Sequence, residues 1–124
     1  LRWHWPSHGK VIETFSSKSS TRKGIDIAGR LGQSVKAASA GRVVYSGSGL
    51  RGYGKLIIVK HNEQYLSAYA HNRKLLVKQG DTVKLGQRIA EMGRSDSDRV
   101  KLHFEIRREG NPVNPMQYLP KRSG

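Results

Sequence analysis

Residues 101–107 read "KLHFEIR", and their alternation predicts an extended strand. Successive side chains of a strand point to opposite faces, so Leu102, Phe104 and Ile106 share one face and Lys101, His103, Glu105 and Arg107 share the other. The first set reads as core. The second is a polar row able to line a groove, with an imidazole and a carboxylate projecting side by side.

Outward from this strand, fourteen glycines punctuate short runs of Val, Ile and Tyr, which is a β pattern. Further strands are expected at Val43–Tyr45, Leu56–His61, Leu66–Ala70 and Arg88–Met92. No stretch sustains helical periodicity over three turns. "NRKLLVKQG" (72–80) and "VNPMQYLP" (113–120) can each carry one helical turn. Two segments resemble each other, "GQSVKAASAGRVVYSG" from Gly32 and "GDTVKLGQRIAEMG" from Gly80. Each reads as a turn, a kink and an outgoing strand. Such a pair predicts a pseudo-symmetric barrel or sandwich of short strands.

The 124 residues suffice for one domain with a single core. No apolar run approaches a membrane span, and no signal-peptide pattern opens the chain. An export signal, a lipid anchor or a further domain is expected upstream. Zero cysteines exclude disulfides and thiolate metal sites. The formal charge of +14 implies attraction to polyanions or acidic proteins. The basic residues are scattered in pairs such as Arg22-Lys23 and Arg107-Arg108, without the aromatic-interleaved platform of single-strand binders.

"TRKGIDIAG" (21–29) sets Asp26 between two isoleucines, and a carboxylate there needs a partner. Of the five histidines, His4 and His8 fall in an opening segment expected to be mobile and solvated. His61 reads as the cap of a strand. His71 ends an alternation of Tyr65, Ser67, Tyr69 and His71 against Leu66, Ala68 and Ala70, and so belongs to a polar or aromatic face.

Taken together, "KGID", "YAHN" and "LHFEI" resemble the three signature blocks of the lysostaphin-like (LytM-type) zinc endopeptidases, which cut peptidoglycan cross-bridges. The resemblance extends from "WPSHGKVIETF" through "GYGKLIIVKH" to "VNPMQYL". It implies a mainly β fold, a compact sandwich or barrel of short antiparallel strands with a groove, over residues 1–124. By the same resemblance Asp26 falls on the acidic zinc ligand, His103 on the last histidine ligand and His71 on the middle catalytic histidine.

Two positions depart from the family pattern. Arg22 stands at the first zinc ligand and Lys101 at the first histidine of the final pair. A catalytic zinc needs three protein ligands and an open position, and both replacements are cations without a lone pair at neutral pH. A unit charge about 5 Å from a divalent ion costs several kcal/mol at an effective dielectric of about 20. No zinc or other cofactor is therefore expected. Arg22 is expected to pair with Asp26, a vestigial ligand.

The degenerate members of the family that this sequence resembles are amidase-activator lipoproteins. That implies a non-catalytic partner of a periplasmic N-acetylmuramoyl-L-alanine amidase, tethered to the outer membrane through an upstream anchor and accompanied by a peptidoglycan-binding module. The groove expected to grip the amidase comprises Arg22, Asp26, Tyr69, His71, Lys101, His103 and Glu105. Nucleic acid is not an expected partner, whereas peptidoglycan is. The alternatives are an active endopeptidase using His71 as a replacement ligand, and a polyanion binder acting through charge alone. "GDTVKLGQRIA" also resembles the hairpin of biotinyl and lipoyl carriers, but no lysine sits at a tight turn there.

Overall fold

A computed structural model describes residues 1–122. Its ten strands are β1 (Val11–Glu13), β2 (Ile25–Ala28), β3 (Ser34–Lys36), β4 (Gly41–Gly47), β5 (Lys55–Lys60), β6 (Tyr65–Leu75), β7 (Thr82–Val83), β8 (Arg88–Met92), β9 (Lys101–Arg108) and β10 (Asn111–Val113). All pairings are antiparallel, in the order β1-β2-β9-β6-β5-β4-β7, with β10 also on β9 and β8 bridging β3 and β6. A 3-10 turn at Pro115–Gln117 follows, capped by the Asn114 side chain accepting from the Met116 N–H.

The resembling segments exchange partners. β3 pairs with β8 of the second copy, while β7 pairs with β4 of the first. Gly32 and Gly80 open the two copies at φ +86 and +98, a region glycine enters without a Cβ clash. The aligned valines, Val35 and Val83, are both buried. The reciprocal exchange ties the two copies together, as a barrel or sandwich built from such a pair requires.

The main core gathers Ile25, Ile27, Ile57, Val59, Ile89 and Met92 with the inner face of β9, where Leu102, Phe104 and Ile106 are fully buried.

The segment 72–80 carries no helical turn. Asn72–Leu75 instead extends β6 and pairs with β8. The cause is His71, whose φ of +69 bends β6 so that it leaves β9 after Ala70 and takes up β8 from Asn72. The opening segment is also held in place. His4 and Lys36 donate backbone hydrogen bonds to Ala38 and Pro6 (2.7 and 2.8 Å), while the His4 and His8 side chains are exposed.

A charge-filled groove on the outer face of β9

The outer face of β9 carries Lys101, His103, Glu105 and Arg107, and β2 brings Asp26 directly opposite His103. Five ionisable groups form a continuous chain there. Lys101 Nζ lies 2.9 Å from Asp26 Oδ2, and Asp26 Oδ1 accepts from His103 Nδ1 at 2.6 Å. His103 Nε2 donates to Glu105 Oε2 at 2.7 Å, and Glu105 Oε1 accepts from Arg107 Nε at 2.8 Å. Tyr53 donates its hydroxyl to Glu105 Oε2 at 3.0 Å.

Both ring nitrogens of His103 face carboxylates, so both donate and the ring is an imidazolium. Burial alone would push its pKa down. Hydrogen bonds to Asp26 and Glu105 overcome that and raise it to about 9. Burial likewise pushes the two carboxyls up, but contacts with His103 and Lys101 hold Asp26 below its ordinary value, and those with His103 and Arg107 hold Glu105 below its own. Three cations enclose two anions, an arrangement in which every charge has a partner.

His71 stands beside this chain, its ring centroid 6.1 Å from that of His103. Its Nδ1–H donates to the Ser95 carbonyl at 2.8 Å, leaving the Nε2 lone pair free. Burial pushes its pKa down, and the Ser95 carbonyl only partly offsets this. Asp26, His71, Lys101, His103 and Glu105 line a hollow of about 320 Å³ with Lys23, Arg51 and Tyr53. Tyr53 is set by the loop "GYG" (52–54), in which Gly54 has φ +63 and a Cβ would meet the Ser95 carbonyl oxygen at 2.4 Å. The Tyr53 carbonyl accepts from the His71 N–H at 2.9 Å.

Two residues expected in the groove lie elsewhere. Arg22 does not pair with Asp26. It reaches Glu13 Oε1 at 2.9 Å, and its NH2 donates to Thr14 Oγ1 at 2.8 Å. The chain turns before β2, so Arg22 meets β1 and its following loop, and Lys101 takes the free oxygen of Asp26. Tyr69 is fully buried in the main core, its ring centroid 5.4 Å from that of Phe104. The alternation along β6 groups Ser67, Tyr69 and His71 on one polar or aromatic face, which would set the Ser67 and Tyr69 hydroxyls by the groove. Those hydroxyls are instead satisfied internally. The Ala38 N–H donates to Tyr69 Oη at 2.8 Å, Tyr69 bonds Ser67 Oγ at 2.7 Å, and Ser67 bonds His61 Nε2 at 2.7 Å. His61 Nδ1–H closes the series on the Ala40 carbonyl at 2.6 Å. Ala68 and Ala70 face Glu105 and His103 across the ladder, and the left-handed turn at His71 sends its ring to that side too.

Lys23, Arg51 and Tyr53 escaped the sequence reading. The Gly-Tyr-Gly triplet was the available signal, since glycines around an aromatic mark a loop that holds it tightly. The residues that the family resemblance sets at a metal position do not fit a zinc ion. The Lys101 ammonium bonds one oxygen of Asp26, His103 has no free lone pair, and Arg22 points away.

Residues 20–115 match peptidase family M23. The chain is 67% identical over 120 residues to the Lipoprotein NlpD/LppB homolog of Pseudomonas aeruginosa, covering 97% of this chain and 40% of that protein. It is 58% identical over 120 residues to the Murein hydrolase activator NlpD of Escherichia coli, covering 97% and 32%. The chain thus spans between about a third and two fifths of the length of these relatives. Among solved structures, the antimicrobial peptidase lysostaphin of Staphylococcus simulans superposes with a TM-score of 0.81 at 29% identity, covering 89% of this chain and 48% of that one. The lysostaphin-like β fold and the matched residues agree: the chain belongs to peptidase family M23.

Proposed function

We propose that this chain is a non-catalytic activator of peptidoglycan hydrolysis, carried as part of a longer envelope lipoprotein. The observation that carries the reading is the Lys101 ammonium seated 2.9 Å from Asp26. It puts a fixed positive charge where the peptidase relatives need a metal, and so removes the means of activating water. The names of the relatives, a murein hydrolase activator and a lipoprotein, support the same reading.

More specifically, the partner is a periplasmic N-acetylmuramoyl-L-alanine amidase, gripped by the groove around Asp26, His71, Lys101, His103 and Glu105. The continuous chain of ion pairs gives that groove a rigid, preorganised floor, which lowers the ordering cost of binding. Its rim cations, half-buried Lys23 and exposed Arg51, steer an acidic segment toward it. Anchoring to the outer membrane on its periplasmic side follows from the lipoprotein reading.

The test is release of dye-labelled fragments from purified peptidoglycan. This chain alone, with zinc added, should release none, and with its cognate amidase it should raise the amidase's rate. Lys101→Glu and Arg51→Glu should lose activation, whereas Lys78→Glu, at an exposed position remote from the groove, should retain it. Digestion by the chain alone, or equal activation by all three variants, would sink the proposal.

A further inference from the structure

A larger hollow lies where residues 5–11 meet residues 116–122, and it shares no residue with the groove. The Trp5 Nε1–H donates to the Pro120 carbonyl at 2.7 Å. The Arg122 guanidinium lies 3.7 Å over the Trp5 ring and donates to the carbonyls of Ser7 and Gly9. Trp5 and Arg122 therefore form a fixed ridge rather than two loose side chains. On one side of it is a hollow of about 730 Å³. Its floor is apolar, made by Val11, Leu119 and Met116, the last 44% exposed. Its rim carries Lys10, Lys121 and Arg122.

Among the described residues no acidic residue lines this hollow, and none of its three cations has a carboxylate within salt-bridge distance. The groove is the opposite case, its carboxylates already neutralising its central cations. On the ridge, positive charge is left for a partner. A second hollow of about 550 Å³ continues past Trp5 with His4, His8 and Lys36 at its edge, again without an acid.

We propose that this hollow is a second docking surface, for an acidic peptide segment of a partner protein that inserts an aliphatic side chain. The apolar floor asks for a hydrocarbon anchor in a desolvated pocket, and the rim asks for carboxylates beside it. A second copy of the chain is disfavoured by the +14 charge that each would carry. A glycan would set hydroxyls against Val11, Leu119 and Met116. The surface is independent of the groove, so the site can exist whether or not the groove grips an amidase.

Fluorescence anisotropy of a dye-labelled peptide of alternating Glu and Leu, titrated with this chain, tests the assignment. Saturable binding is expected, weakened about tenfold or more by Met116→Glu and by the pair Lys10→Glu with Lys121→Glu, as loss of an anchor or of the rim charge requires. Arg51→Glu, in the groove, should leave the affinity unchanged. A Glu and Ser peptide should bind about tenfold more weakly, because it lacks the anchor. Thermal melting of each variant confirms folding, and all four substituted positions are exposed. The proposal is overturned by any of four results: no saturable binding, equal binding of the Ser peptide, sensitivity to Arg51→Glu in place of Met116→Glu, or displacement of the peptide by soluble peptidoglycan fragments. Retained amidase activation in the Met116→Glu variant would leave the groove reading standing beside any of these.

Discussion

His103 is held between two carboxylates, with Nδ1 2.6 Å from Asp26 and Nε2 2.7 Å from Glu105. A histidine with both nitrogens donating is a cation locked in one orientation. It acts as the hub of an ion-pair chain instead of a ligand.

Stability should therefore peak near pH 6.5. His103 is pushed up to about 9, so the stability it adds is complete below pH 6.5 and is lost as the pH rises through 9. Asp26 and Glu105 are held below their ordinary values of 3.8 and 4.5, so their share is present above those values and lost on acidification. His61 and His71 are pushed down by burial and cost stability as the pH falls below 6.5. Urea unfolding across pH should show both limbs, and His103→Gln should flatten the alkaline one. An unchanged alkaline limb in that variant would assign the effect to another group.

The carboxylate and its neighbours should couple selectively. Asp26→Ala leaves the buried end of the chain with excess positive charge and should cost about 3–5 kcal/mol, the usual range when a buried pair is broken. Arg22→Ala breaks a half-exposed contact with Glu13 and exposed hydrogen bonds to Thr14, none of them with Asp26, and should cost about 1 kcal/mol. A double-mutant cycle by chemical denaturation should find coupling between Lys101 and Asp26 and none between Arg22 and Asp26.

Chelator should leave the melting temperature unchanged, and protein prepared without chelator should carry no stoichiometric zinc. The reason is chemical: Lys101 and Arg22 offer no lone pair, and His103 has spent both of its nitrogens. Elemental analysis after dialysis checks this, and retained zinc would refute the reading of the site.

The buried series Ala38–Tyr69–Ser67–His61 should behave as one unit. Ser67→Ala strands the Tyr69 hydroxyl and the His61 Nε2 together, and should cost about 1–3 kcal/mol for the unmade hydrogen bonds. Ser67→Ala combined with Tyr69→Phe should cost less than the sum of the two separately. Additive losses in thermal denaturation would show that the hydroxyls act independently.

Much of this protein was determined locally. The alternation in 101–107 is a backbone property, so core and polar faces of β9 were legible from seven residues. Arg88–Met92 was legible as a short run between Gly86 and Gly93, and the Gly32 and Gly80 segments announced a paired architecture. Asp26, His71 and His103 could be picked out because their blocks are short and specific.

What the tertiary structure alone decided concerns partners distant in sequence. Arg22 stands four residues from Asp26 and Lys101 stands 75 residues away, yet Lys101 makes the bond, because β2 and β9 lie side by side and the turn before β2 carries Arg22 off to β1. Tyr69 shares the polar or aromatic face of β6 with His71 by alternation. Its burial depends on Ala38, Ser67 and His61 arriving together to satisfy it, and hydrogen-bond satisfaction is settled by contacts across the fold. The bend at His71 has the same origin: a single left-handed residue turns its ring toward the groove and passes β6 from β9 to β8, and no alternation pattern encodes that change of partner.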